Sequence, residues 1–168
     1  MLEYRLQRGH FLFDEDLGKL EVAKAIVFNF QKALQSELVI NEIDSNAATP
    51  LHAVKLLALY LSNPHDKEST ISSLKEWLAD LAIGNNAILR LIAGTIFMHE
   101  EDFNEALKHT NAGGTMELNA LNVQILIKMH RSDYAERQLR AMQQLDENHT
   151  LTQLANAWLN LAVVILFY

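Results

Sequence analysis

The chain has 168 residues, 49% of them hydrophobic and 21% charged, with a formal net charge of −7. That is enough apolar sequence for one domain with its own core, and it excludes a disordered polar linker. The acidic balance argues against nucleic-acid binding, which needs a basic face to displace phosphate counterions. The absence of cysteine excludes disulfides, a thiolate nucleophile and cysteine zinc sites.

The opening stretch MLEYRLQRGHFLFDEDLGKL is too charged and too broken for a secretory signal, and no run reaches the length of a membrane span. A cytoplasmic protein is expected. With only 2 prolines and 6 glycines, long helices are favoured over strands and turns. GKLEVAKAIVFNFQKALQS is a first amphipathic helix, and SELVINEIDS reads as a helix end or a short extended piece. LHAVKLLALYLS repeats apolar residues at Leu51, Val54, Leu57, Ala58 and Leu61, the spacing of one helix face. Asn46 and Thr49 are candidate N-caps for it, and Pro50 suits a first helical turn. After SNPHDKES, with Ser69 or Thr70 as cap, STISSLKEWLADLAI resumes the period through Ile71, Leu74, Leu78 and Leu81, and Gly84 is expected to stop it.

AILRLIAGTIFMH, a tight EEDF link and NEALKHT then lead to Gly113-Gly114. ELNALNVQILIKMH, RSDYAERQLRAMQQLD and LTQLANAWLNLAVVILFY complete the chain. Links this short place consecutive helices antiparallel. Ala93, Gly94, Phe97, Phe103 and Ala106 carry the small and aromatic residues of a tetratricopeptide-like hairpin. Ala135, Leu139, Met142 and Leu145 suit a second B helix, and Trp158, Leu161 and Ala162 the start of another A helix. The step from Ala106 to Ala135 is shorter than the usual repeat of about 34. The expected fold is all-α, an α-solenoid of irregular tetratricopeptide-like helical hairpins.

No catalytic or metal-binding constellation emerges, and no cofactor is implied. His99-Glu100 begins the zinc motif H-E-x-x-H, but Phe103 stands where the second ligand must lie one helical turn on. Gly113-Gly114 follows a helix and lacks the Lys-Ser/Thr of a phosphate loop. Ser69, Ser72 and Ser73 have no histidine and carboxylate nearby in sequence, and the acidic runs around Asp14 and Asp102 read as solvated faces or turns. Two readings stay open on the residues alone. One is a peptide-binding repeat module, for which the A helices offer few basic residues. The other is a small helical hydrolase using His99 or His109, which zinc analysis and His99→Ala would test.

The blocks LVINEID, AVKLLALYLS, STISSLKEWLAD, LRLIAGTIFMHE, ALKHTNAGGTMELNALNVQILIKMHRSDYAE and HTLTQLANAWLNLA, in this order, resemble the epsilon subunit of coatomer (epsilon-COP), most closely its plant form. The resemblance runs over about residues 26–162. It implies a non-enzymatic tetratricopeptide-like scaffold of the COPI vesicle coat, serving Golgi-to-ER and intra-Golgi transport and peripheral on Golgi membrane. It implies as partners the other coatomer subunits, above all the C-terminal domain of alpha-COP, around which the family curls. Residues 1–25 diverge from the family, and 26–168 form the repeat domain. After LANAWLNLAV the family continues into a glycine-containing turn, a B helix and further repeats, whereas here VILFY follows. An incomplete C-terminal end is therefore expected. Its apolar tail would fold back on the helix near Leu139 and Met142, or self-associate. By the repeat alignment, Leu91, Thr95, Met98, Gln124 and Lys128 are the candidate partner contacts on the concave face, with core filling an equal alternative for Leu91 and Met98.

Overall fold

A computed structural model of the chain describes residues 40–41, 43–44, 47–111 and 114–166, with side chains as far as Val163. The helix expected over GKLEVAKAIVFNFQKALQS, the segment 1–25, Asn46 and Gly113 lie outside the described residues. Of SELVINEIDS, Ile40 and Asn41 are helical.

Among the described residues the fold is all-α. The helices are α1 (Thr49–Ser62), α2 (Lys67–Ala79), α3 (Ala87–His99), α4 (Phe103–Thr110), α5 (Met116–Lys128), α6 (Ser132–Asp146) and α7 (Thr150–Leu166), with a 3-10 turn at Pro64–Asp66. α1, α3, α5 and α7 pack side by side in one layer. α2, α4 and α6 lie behind them as the return helices of successive hairpins. This is the helical-repeat architecture expected from the sequence.

Local sequence explains most helix ends and corrects three expectations. Pro50 does stand in the first turn of α1, where its missing N–H costs nothing, but the cap residue is Ala48 and Thr49 is already helical. α2 begins at Lys67, so Thr70 is not a cap. It lies inside the helix, buried, and its hydroxyl donates to Asp66 O at 3.2 Å. α2 also stops at Ala79 rather than running through Leu81, which is 93% exposed. The Asp80 side chain accepts from the Ala82 N–H at 2.8 Å and its carbonyl from the Gly84 N–H at 2.7 Å, so the chain turns before Leu81. A Cβ at Gly84 would sit 2.5 Å from the Leu78 carbonyl oxygen, so only glycine closes this turn.

The short step between Ala106 and Ala135 is a true structural period. Asn86 caps α3 by accepting from the Ile88 and Leu89 N–H groups, and Thr115, at the same interval, caps α5 by accepting from Leu118. Leu89, Ile92 and Ile96 of α3 recur as Leu118, Leu121 and Ile125 of α5, all buried. The two links have the same αL turn. Glu101 (φ 61°) and His130 (φ 56°) take the left-handed conformation, while the N–H groups of Asp102 and Arg131 reach back to Phe97 O and Leu126 O, each at 2.9 Å. These closures are Schellman motifs, which satisfy the last carbonyls of each A helix. Ala106 and Ala135 then follow in register, both fully buried. The next step, from Thr115 to His149, is longer. There the His149 carbonyl accepts from Gln153 as that of Thr115 does from Asn119, each at 3.1 Å. The lengthening lies in the B helix, 15 residues in α6 against 8 in α4.

Buried side chains form two clusters, and α5 belongs to both. Leu118, Leu121 and Ile125 join α1, α2, α3 and α4 around Tyr60, Leu74, Ile92 and Phe97. Ala120, Val123 and Leu126 join α6 and α7 around Leu139, Met142, Ala155 and Leu159. The B-helix face expected in α6 holds at Ala135, Leu139 and Met142 but not at Leu145, which is 70% exposed beside the helix end. In α7 the buried face is Thr152, Ala155 and Leu159, at the positions of Leu118, Leu121 and Ile125. Of the expected residues Trp158, Leu161 and Ala162, Trp158 packs at the edge of the second cluster, whereas Leu161 is 61% exposed. α7 runs unbroken to Leu166, and its Val163 packs against the cluster that holds Leu139 and Met142.

Candidate interaction groove

α5 and α7 leave an open groove of about 360 Å³ between them, lined by Gln124, Ile127 and Lys128 on one side and Trp158, Leu161 and Ala162 on the other. In the register that aligns Thr115 with His149, the first three residues correspond one by one to the second three. The groove is thus a product of the repeat. Its walls are mostly apolar, and Lys128 is its one charged lining residue. Exposed and without an ion pair among the described residues, that ammonium is open to an anionic group. The arrangement suits an apolar side chain lying on Trp158 and Leu161 with a polar or acidic neighbour at Lys128.

Of the five positions expected to meet a partner, the structure brings Gln124 and Lys128 to this groove. Leu91 and Thr95 are only 2% and 3% exposed, and the Thr95 hydroxyl donates to Leu91 O at 2.8 Å. Both therefore serve the core and its helix here. Met98 is half-buried and packs against the first cluster. Sequence periodicity misses Ile127 as a lining residue, although it occupies the place of Met98 one repeat on. The same periodicity marks Trp158, Leu161 and Ala162 as packing residues rather than as a groove wall.

His99, from the incomplete zinc motif, and His109 serve as packing groups. Tyr60, 1% exposed, donates its hydroxyl to Glu100 Oε1 and lies 3.3 Å from His99 Nδ1, with the two rings edge-on at 5.9 Å. Lys67 completes the junction at 3.0 Å from Glu100 Oε1, its Nζ 5.0 Å from the Tyr60 ring centre. Burial, reinforced by the hydrogen bond to Glu100, pushes the Tyr60 phenol well above its usual range, while the bonds from Tyr60 and then Lys67 hold Glu100 below the ordinary carboxylate value. His109 stacks on Phe97 at 5.8 Å and lies 3.2 Å from Glu105; burial lowers its pKa despite that carboxylate. His99 ends α3 and His109 lies on α4. Among the described residues no three histidine, aspartate or glutamate side chains gather into a metal-binding set, and no helix is long and apolar enough to cross a membrane.

Comparison with known proteins adds what geometry alone does not give. The profile of the family described as coatomer epsilon subunit matches residues 15–164. The chain belongs to the coatomer epsilon subunit family. It is 80% identical over 127 residues to coatomer subunit epsilon-1 of Arabidopsis thaliana, covering 76% of this chain and 44% of that protein. It is 72% identical over 140 residues to coatomer subunit epsilon-1 of Oryza sativa subsp. japonica, covering 83% and 48%. A distant member, coatomer subunit epsilon of Dictyostelium discoideum, is 30% identical over 131 residues, covering 74% and 44%. The plant character read from the sequence blocks is thus shown, and the chain spans a little under half the length of these epsilon subunits.

Proposed function

We propose that this chain is a non-catalytic scaffold of the COPI vesicle coat, acting in Golgi-to-ER and intra-Golgi transport and reaching the membrane only through the coat. In this reading it holds the C-terminal domain of alpha-COP, with the groove between α5 and α7 as part of the contact. Family membership supports the coat assignment. The observation that carries the site is the coincidence of Gln124, Lys128, Trp158 and Leu161 in one accessible, mostly apolar groove at repeat-equivalent positions. A partly buried tryptophan beside an exposed cation has the composition of a binding hot spot.

Co-purification of the chain with the alpha-COP C-terminal domain tests the proposal, with a longer epsilon subunit as positive control. Trp158→Ala should cost about 2 kcal/mol, ~30-fold in Kd. Lys128→Glu should weaken binding in a salt-dependent way, and Gln124→Ala less. Binding by the longer relative but not by this chain would make it a remnant without the coat contact. Binding indifferent to Trp158 and Lys128 would move the contact elsewhere.

A further inference from the structure

We infer that the face of α6 formed by Arg131, Tyr134 and Arg137 docks an acidic peptide segment of a partner protein, whose carboxylate takes the place that Glu105 fills within α4. A cation left without its carboxylate at a repeated position carries this. In the register that aligns Ala106 with Ala135, the three residues stand where α4 has Asp102, Glu105 and Lys108. There α4 satisfies its own charges, since Glu105 Oε1 lies 3.0 Å from Lys108 Nζ and 3.2 Å from His109 Nε2. In α6 a tyrosine replaces that glutamate, and Arg137 has no carboxylate to pair with. Its guanidinium carbon lies 5.2 Å from the centre of the Tyr134 ring, and that of Arg131 lies 3.8 Å from it.

Both arginines are exposed, and among the described residues neither pairs with a carboxylate. Arg90 and Arg140, by contrast, are engaged. Arg90 Nε donates to His109 O at 2.8 Å, and Arg140 Nη2 pairs with Glu136 Oε1 at 2.6 Å. Stacking uses the flat face of a guanidinium and leaves its N–H edge open, and that edge grips a carboxylate through two parallel hydrogen bonds. The ring of Tyr134, 41% exposed, holds Arg131 in place, so less side-chain freedom is lost when an anion arrives.

The face is open because of its place in the repeat. α4 is followed by α5, α6 and α7, yet Asp102 and Lys108 are exposed at the same positions. The side of α6 that packs on α5 and α7 is Ala135, Leu139 and Met142. A following hairpin therefore leaves this stripe of the B helix uncovered.

Charge selects a peptide over an extended anionic surface. Asp133 and Glu136 are exposed on the same turns, so a flat bilayer or a duplex would press phosphates against them as well as against the arginines. The net charge of −7 adds to that repulsion. A single peptide chain can follow the stripe and keep clear of both carboxylates. Repulsion from the rest of the protein is screened beyond about 8 Å at physiological salt, while pairing acts at contact.

Fluorescence anisotropy of a fluorescein-labelled peptide of alternating glycine and glutamate, titrated with the 168-residue chain, tests the inference. Binding should weaken as salt rises, and the peptide with glutamine for glutamate should bind at least about tenfold more weakly. Arg131→Glu and Arg137→Glu should each weaken binding by about tenfold or more, with helical circular dichroism unchanged. Tyr134→Glu rebuilds the α4 arrangement, engages Arg137 within the helix and should abolish binding. Tyr134→Phe keeps the ring and should stay within about twofold. Lys75→Glu, the same charge change on an exposed position of α2, and Lys128→Glu in the groove should also stay within about twofold. Absent binding, equal binding of the glutamine peptide, or binding that follows Lys128 or net charge alone would overturn the inference. So would capture of the chain by phosphatidylserine vesicles that is lost with the same two arginines, which would make the partner a membrane. Trp158→Ala should leave this readout unchanged, so failure here leaves the coat proposal standing, and the reverse.

Discussion

Gly94 marks the closest approach in the fold. A Cβ there would meet Thr110 Cγ2 at 2.4 Å and Leu121 Cδ2 at 2.9 Å, so α3 touches α4 and α5 through bare backbone. Alanine would gain about 1 kcal/mol of helix propensity, but making room in a packed core costs about 1–3 kcal/mol. We expect Gly94→Ala to lower stability by up to about 2 kcal/mol in urea titration, with the m-value unchanged. His109 makes a second residue-scale point. Burial holds its pKa below the ordinary 6.5, so below that pH the unfolded chain takes up a proton that the folded chain resists. The stability linked to His109 is complete above about pH 6.5 and is lost as pH falls through the depressed value. The melting temperature should drop between about pH 7.5 and pH 5.5, and His109→Gln should reduce that drop.

At the scale of elements, the equivalence of the two αL links makes a prediction. Glu101 and His130 hold a backbone conformation that costs a side chain about 1 kcal/mol or more. His130→Gly should therefore raise stability by roughly 0.5–1 kcal/mol, and Glu101→Gly by a similar amount, read from denaturant midpoints. In sequence, MHEEDF stands out as half a zinc motif, while its structural twin around Met129 and His130 carries no mark, because αL glutamate and histidine give no glycine signal. Helices α3, α5 and α6 are legible almost to the residue, since their periods are long and the caps Asn86 and Thr115 mark where α3 and α5 begin. The end of α2 is not, because Leu81 continues the apolar period and only the local hydrogen bonds of Asp80 break it. Gln124 and Lys128 are legible as groove residues from the repeat register. Burial of Leu91 is legible as one of two alternatives, but that of Thr95 is not, since it depends on how neighbouring helices close over α3.

For the molecule as a whole, the two clusters give the stack an internal boundary. Repeat proteins are stabilised by nearest-neighbour contacts, so damage in one cluster need not dissolve the other. Ala155 is fully buried among α5, α6 and α7. A charge there has no partner, and Ala155→Asp should strip hydrogen-exchange protection from α6 and α7 while α1 and α3 keep most of theirs. Loss of all protection together would instead show a single cooperative unit. The same boundary bears on ligands. α5 presents Gln124, Ile127 and Lys128 to the groove and Leu118, Leu121 and Ile125 to the opposite cluster. Anything that grips the groove adds its binding free energy to a helix on which both cores depend. By linkage, occupancy should slow opening at the distant Tyr60–Glu100 junction, which touches no ligand, and a weakened junction should lower affinity in return. The bridging helix thus makes a peripheral contact thermodynamically visible across the array.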